Sequence, residues 1–148
     1  MAANAPAPIA LASDHAGLPL KQAVKAALEA AGHAVADHGT HGAESVDYPD
    51  YARKVVADVA AGAVPFGVLV CGSGIGMAIT ANRHAGIRAT VVHNTTEARL
   101  TRQHNDANIA CFGARTMGIE TVLDSLRVFL ETPFEGGRHA PRVAKIEG

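Results

Sequence analysis

The residues best suited to chemistry lie in the stretch Val68-Leu69-Val70-Cys71-Gly72-Ser73-Gly74-Ile75-Gly76-Met77. An apolar run ends in a cysteine, three glycines follow at alternate positions, and a helical pattern then resumes. Glycine permits positive φ and close approach to the backbone. A strand–turn–helix unit of this kind aims several backbone N–H groups and the positive end of a helix at one point. The segment reads as an anion site with a candidate base or nucleophile, Cys71, beside it. Commoner anion loops fit poorly. A nucleoside-triphosphate loop ends in Gly-Lys-Ser/Thr, whereas this turn ends in Gly76-Met77-Ala78. A dinucleotide fingerprint spaces its glycines differently and follows the first strand. A cysteine-dependent phosphatase loop wants an arginine where Met77 stands. What survives is a thiol beside converging N–H groups that could stabilise a small oxyanion.

The elements that must hold this turn alternate along the chain. Apolar runs predict strands over 9–13, 34–37, 66–70, 87–92 and 109–112. Helical periodicity predicts helices over 18–31, 49–62, 75–83, 95–103 and 117–130, with Gly32 placed to end the first and Asn94 or Thr95 to cap the fourth. Repeated β-α units with strands apolar on both faces imply an α/β fold, a three-layer α/β/α sandwich around a five-stranded parallel, Rossmann-like sheet. In such sheets ligands sit at the carboxyl ends of strands. Ser13-Asp14-His15, the Cys71 turn and His93-Asn94 occupy three of those ends. The segment 131–148 lacks core periodicity but holds Arg138, His139 and Arg142.

Composition narrows the function classes. A chain of 148 residues, 48% hydrophobic and 18% charged, is expected to form a single domain over 9–148 after a loose, disordered tail over 1–8. That tail has neither a basic start nor an apolar run, so it does not read as a signal peptide. A formal net charge of −1 leaves no basic footprint for nucleic acid or an acidic membrane, so neither is expected as a partner. No apolar run reaches a membrane span. Two cysteines in apolar runs suit a reducing, cytoplasmic setting.

Five segments in order carry a family resemblance: Ser13-Asp14-His15-Ala16-Gly17, Asp47-Tyr48-Pro49, Cys71-Gly72-Ser73-Gly74-Ile75-Gly76, Arg102-Gln103-His104-Asn105-Asp106-Ala107-Asn108, and Glu135-Gly136-Gly137-Arg138-His139 with Arg142. Together they resemble the ribose-5-phosphate isomerase B and galactose-6-phosphate isomerase family. The resemblance implies cofactor-free and metal-free aldose–ketose isomerisation of a phosphorylated sugar, with ribose 5-phosphate and ribulose 5-phosphate as the leading pair. It implies that Cys71 moves a proton between C2 and C1, that the N–H groups of Gly72, Ser73, Gly74, Ile75 and Gly76 hold the enediolate, and that Ser73 shuttles the hydroxyl proton. His104 would open the sugar ring. Asp14, His15, Tyr48 and Asn105 would contact the sugar, and His15, Arg115, Arg138 and Arg142 the phosphate. A homodimer with a site shared between subunits is implied, with a further pairing to a tetramer left open. Ser73 stands where many members carry threonine, and Met77 where another branch carries a glutamate base; Cys71 assigns this chain to the cysteine branch.

Other readings remain open on the sequence. A six-carbon substrate, allose or galactose 6-phosphate, would use the same chemistry, a non-catalytic phosphosugar sensor would use the same pocket, and one half of a hetero-oligomer would need another chain. Cys111 is expected to be a core residue. His33, His38, His41 and His84 fit no standard metal-ligand spacing and are expected on the surface or in loops. His93 and Asn94 receive no role.

Overall fold

The computed structural model describes residues 5–148, so the first half of the expected tail lies outside the described residues. Five strands, β1 (Ile9–Ser13), β2 (Val35–Asp37), β3 (Phe66–Cys71), β4 (Ala89–Val91) and β5 (Ile109–Gly113), form one parallel sheet in the order β2-β1-β3-β5-β4. They alternate with α1 (Leu18–Ala30), α2 (Tyr48–Ala60), α3 (Ile75–Ala81), α4 (Thr95–Asn105) and α5 (Ile119–Glu131). The expected α/β sandwich is the observed architecture. The ten expected strands and helices are all present, while several ends shift. The weak edge strand β4 is shorter than expected, because Ile87 is buried yet lies ahead of the ladder.

Period-two alternation divides the core into two layers. Ile9, Leu11, Val68, Val70, Ala110 and Phe112 face α1, α4 and α5, where Val24, Leu28, Val122, Leu126 and Phe129 meet them. Ala10, Ala12, Leu69, Cys71, Ile109 and Cys111 face α2 and α3, against Val55, Val56, Met77 and Ala81. Small residues on the second face bring the helices close. A Cβ added to Gly67 would sit 2.4 Å from the Val55 side chain.

The helix after β1 and the helix after β3 pack on opposite faces, although β1 and β3 are neighbours. Their outgoing loops therefore part and leave a crevice at the carboxyl edge, the topological switch point of an open α/β sheet. Asp14 and Cys71 stand on its two sides.

The C-terminal segment departs from expectation: a 3-10 turn (Gly137–His139) leads into a further helix, α6 (Ala140–Glu147). No residue of α6 is buried, which explains why its sequence carries no core stripe. It is tied instead by Glu147, whose carboxylate accepts from Arg88 at 2.6 Å and from the Gly86 N–H at 2.9 Å. Residues 5–8 form neither helix nor strand, and the Ala7 carbonyl lies 2.7 Å from His33 Nδ1.

Candidate functional site

Cys71 closes β3 in register with Gly113 of β5. Its thiol is 5% exposed, at the floor of an open cleft of about 560 Å³. Asp14, Tyr48, Gly72, Ser73, Ile75, Gly76, Ile79, Arg115 and Thr116 complete the lining, which thus unites most of the residues expected to act on the sugar. The Gly74 N–H donates to Cys71 Sγ at 3.1 Å. Gly74 has φ +79°, and a Cβ there would meet the Phe112 backbone at 3.1 Å, so glycine is required at this point of the turn. The Ile75 N–H donates to Ser73 Oγ at 3.2 Å. Two of the five expected oxyanion donors are therefore engaged by the turn itself. The N–H groups of Gly72, Ser73 and Gly76 donate to no atom among the described residues.

The remaining walls are held by specific contacts. Tyr48, the first residue of α2, lays its ring on Gly76; a Cβ there would come within 2.6 Å of the ring. Arg115 extends over Gly72 from the loop after β5. Asp14 is buried and accepts from the Gly17 N–H at 3.0 Å, and Gly17 itself passes so close to the Val70 carbonyl that no side chain fits. His15 Nδ1 accepts from the Val46 N–H at 3.1 Å, tethering the loop that delivers Tyr48.

His104, Asn105, Arg138 and Arg142 are elsewhere. Helix α4 leaves the carboxyl end of β4 and runs back, so His104 and Asn105 in its last turn stand at the amino edge of the sheet. There the Asn108 N–H donates to the Arg88 carbonyl, and Arg88 Nε donates to the Asp106 carbonyl at 2.9 Å. The four steps of β5 between Ile109 and Gly113 alone span about 13 Å at roughly 3.3 Å per residue. Within one chain, the cysteine cleft and the His104 group are separate.

The amino-edge group is compact. His104 and His139 stack with ring centroids 4.3 Å apart. His139 Nε2 lies 3.5 Å from Glu135 Oε2, and the Glu135 N–H donates to the Gln103 carbonyl at 3.1 Å. Burial, with His104, Arg138 and Arg142 adding to it, holds the His139 ring below its usual pKa, while Glu135 pulls the other way. Arg102 buttresses the turn from beneath. Its guanidinium lies 4.8 Å from the Phe66 ring centroid and donates to the Ala107 carbonyl, the Thr132 carbonyl and Asp106.

Among the described residues, His104, Glu135 and His139 bring one possible ligand atom each within 4.8 Å of the others, but the near-parallel stacking of the two imidazoles keeps their lone pairs from converging on one ion. The Glu135–His139 spacing of four was a signal in the sequence, although neither residue was given a role. Thr116 was missed entirely, for it carries no motif of its own. Of the four histidines expected outside the site, His38 bonds Asp58 at 2.6 Å, His33 reaches the Ala7 carbonyl, His41 is exposed and His84 is half-buried. Asn94 caps α4, accepting from the Glu97 N–H at 2.8 Å, and His93 bonds the Glu97 carboxylate. Cys111 is fully buried, and burial together with the neighbouring Cys71 pushes its thiol far up, out of the reactive range. No helix among the described residues is long and apolar enough to cross a membrane.

Comparison with known proteins shows the family. The sequence model described as Ribose/Galactose Isomerase matches residues 9–146. The chain is 45% identical over 138 residues to ribose-5-phosphate isomerase B of Escherichia coli, covering 93% of each protein. It is 47% identical over 139 residues to a putative sugar phosphate isomerase of Rickettsia bellii, covering 94% of this chain and 96% of that one. Among solved structures, a ribose 5-phosphate isomerase from Thermotoga maritima superposes with a TM-score of 0.94 at 50% identity, over 95% of this chain and 97% of that one. The type B ribose 5-phosphate isomerase of Leishmania infantum gives 0.91 at 43% identity, over 96% and 95%. The chain therefore belongs to the ribose/galactose isomerase family.

Proposed function

We propose that the protein interconverts ribose 5-phosphate and ribulose 5-phosphate through an enediolate, and that a second copy of the chain completes each active site. The observation that carries the reading is Cys71 seated beside the Gly74 N–H, in a cleft whose neighbouring donors are free. Cys71, as thiolate, takes the C2 proton of the open-chain aldose. Charge then develops on O1, where the N–H groups of Gly72, Ser73 and Gly76 can receive it; each such donor is typically worth about 10²–10³ in rate. Ser73 carries the hydroxyl proton from O2 to O1, and Cys71 returns its proton to C1, leaving the ketone at C2. Asp14 and Tyr48 bind sugar hydroxyls.

Ring opening and phosphate binding need groups that one chain holds at its far edge. A homodimer that seats the second copy's His104, Asn105, Arg138 and Arg142 over the Cys71 cleft supplies them. The unusually exposed Ile75, Ile79 and Tyr48 at the cleft rim are apolar surface for such a contact. His104, an imidazole able both to donate and to accept a proton, exchanges protons with the ring oxygen and the anomeric hydroxyl. The guanidinium forks of Arg138 and Arg142 suit a phosphate, with Arg115 and His15 closing from the first copy. Neither metal nor organic cofactor enters these steps.

Turnover of the purified protein on ribose 5-phosphate, allose 6-phosphate and galactose 6-phosphate, with a chelator present, tests the substrate. Preference for the pentose supports the reading. Preference for a hexose moves the substrate within the same chemistry, and tight binding of all three without turnover would replace the enzyme with a sensor.

A further inference from the structure

His104 sits in a joint between two elements. With Asn105 it ends α4, and its ring stacks on that of His139, in the 3-10 turn that opens the C-terminal strap. One side chain spans that joint. Arg88, in the loop before β4, donates from Nε to the Asp106 carbonyl at 2.9 Å and from Nη1 to Glu147 Oε1 at 2.6 Å. Its Nη2 lies 3.6 Å from Asp106 Oδ2. The guanidinium therefore fastens the end of α4 with one side and the end of α6 with the other. We propose that Arg88 is a positioning residue: by clasping Asp106 and Glu147 at once, it sets His104 for ring opening and fixes the strap that carries Arg138 and Arg142.

The turn after α4 needs such a brace. Asp106 has φ +48°, the one positive value at a non-glycine residue among the described residues. An L residue adopts that conformation at a cost, so surrounding contacts must hold it. Carbonyls at a helix end also lack partners within the helix. Arg88 supplies one to the Asp106 carbonyl and brings a cation to the negative end of α4. Arg102 holds the other carboxylate oxygen, Oδ1, at 2.8 Å, which places Asp106 between two guanidiniums. Arg102 is buried beneath the turn against Phe66, whereas Arg88 reaches on to the strap. Arg88 is itself locked in place. Its N–H donates to Asn108 Oδ1 at 2.8 Å, its carbonyl accepts from the Asn108 N–H at 2.9 Å, and the Asn108 side-chain amide donates to the Gly86 carbonyl at 2.8 Å. The clasp thus stands on the start of β5, a fixed part of the sheet. On the strap side α6 buries no residue, so the Glu147 contact supplies what packing does not.

The kinetic role of Arg88 rests on the reading that His104 opens the ring, and a double-mutant cycle separates the two. In the wild-type background Arg88→Gln should lower kcat on ribose 5-phosphate about 10-fold or more, the cost of a displaced catalytic group, and raise KM with it. In the His104→Ala background the same change should lower kcat by less than about two-fold, because the group it positions is gone. Glu147→Gln cuts only the strap arm, so it should raise KM about 3–10-fold and leave kcat within about two-fold. Arg88→Lys keeps the charge but lacks the fork that meets two acceptors at once, and should fall between Arg88→Gln and the wild type. It also carries the cycle if denaturant unfolding shows that Arg88→Gln does not fold. An equal loss of kcat from Arg88→Gln in both backgrounds overturns the role, as does wild-type kcat in Arg88→Gln. Wild-type turnover in His104→Ala would instead overturn the ring-opening reading, and the role of Arg88 with it.

Discussion

At the carboxyl edge of the sheet the candidate residues are fixed by backbone and glycine. Gly17 presses on Val70, Gly74 on Phe112, and Gly76 carries the Tyr48 ring. At the amino edge His104, Asn105, Arg138 and Arg142 stand on a helix end and a C-terminal strap, held by side chains that grip carbonyls. Each edge is built around a buried cation. Lys21 is 1% exposed and donates to Asp37 at 2.7 Å and to the Thr40 carbonyl at 2.8 Å. Arg102 does the corresponding work below α4. The difference suits two tasks. A site for an oxyanion needs preorganised dipoles that do not move. A site that must meet a second copy and a mobile phosphate can use longer, charged side chains.

The sharpest way to break this division is Cys71→Ala. Removing the proton carrier should lower kcat by at least about 10³-fold while leaving substrate affinity within a few-fold, because the thiolate acts mainly in the transition state. Retained turnover above a few per cent, measured with ribose 5-phosphate, would exclude Cys71 as the base.

His104→Ala should lower turnover by about 10²-fold from the other edge. The informative experiment mixes the two inactive variants after dissociation and reassociation. In a two-fold dimer half the particles become heterodimers with one intact site each, so activity should return to about a quarter of wild type. A mixture as inactive as its parents would mean that both groups serve one chain, against the topology of α4.

The two edges were unequally legible in the sequence. Motifs at strand ends announced the carboxyl edge, since Cys71, the alternating glycines and Asp14 sit where the β-α alternation puts ligands. The chain direction of α4 also carried the information that His104 points away from Cys71, but only once the sheet order was known. Lys21 was not legible. It falls on the buried face of α1 with Val24 and Leu28, where periodicity asks for an apolar residue, and its partners Asp37 and Thr40 come from β2 and the loop beyond. Helix α6 escaped for the opposite reason, since a helix with no buried residue leaves no stripe to read.

Arg142→Ala should raise KM for phosphorylated sugars about 10–100-fold, the scale of a hydrogen bond between charged groups, and change kcat little. An equal effect on unphosphorylated ribose would remove Arg142 from the phosphate. The Lys21–Asp37 pair tests scaffold rather than chemistry. Asp37→Ala leaves a buried ammonium unpaired and should cost about 3–5 kcal/mol in denaturant unfolding. Burial alone would raise the Asp37 carboxyl, but Lys21 and the Gly39 N–H hold it below a free aspartate's 3.8. Its contribution is therefore complete above that value and is lost as pH falls through the lower, folded pKa. Wild-type stability should drop more steeply below pH 3.8 than that of Asp37→Ala.

The smallest effect is expected at the second cysteine, and it sharpens the comparison most finely. Cys71 and Cys111 lie on adjacent strands and on the same face of the sheet, both in the α2–α3 layer of the core. Two residues of register separate them: Cys111 pairs with Leu69, inside the ladder, while Cys71 pairs with Gly113 at its end. That displacement takes one thiol from beside a donor N–H and a cleft to complete burial. Burial holds Cys111 protonated, so it is neither nucleophile nor base. Cys111→Ala should leave kcat/KM at about the wild-type level and cost about 1 kcal/mol for the small cavity. Iodoacetamide should inactivate the wild type and Cys111→Ala at the same rate, with substrate protecting both. A slower inactivation of Cys111→Ala would mean that alkylation of the buried thiol contributes, and the contrast between strand end and strand interior would fail.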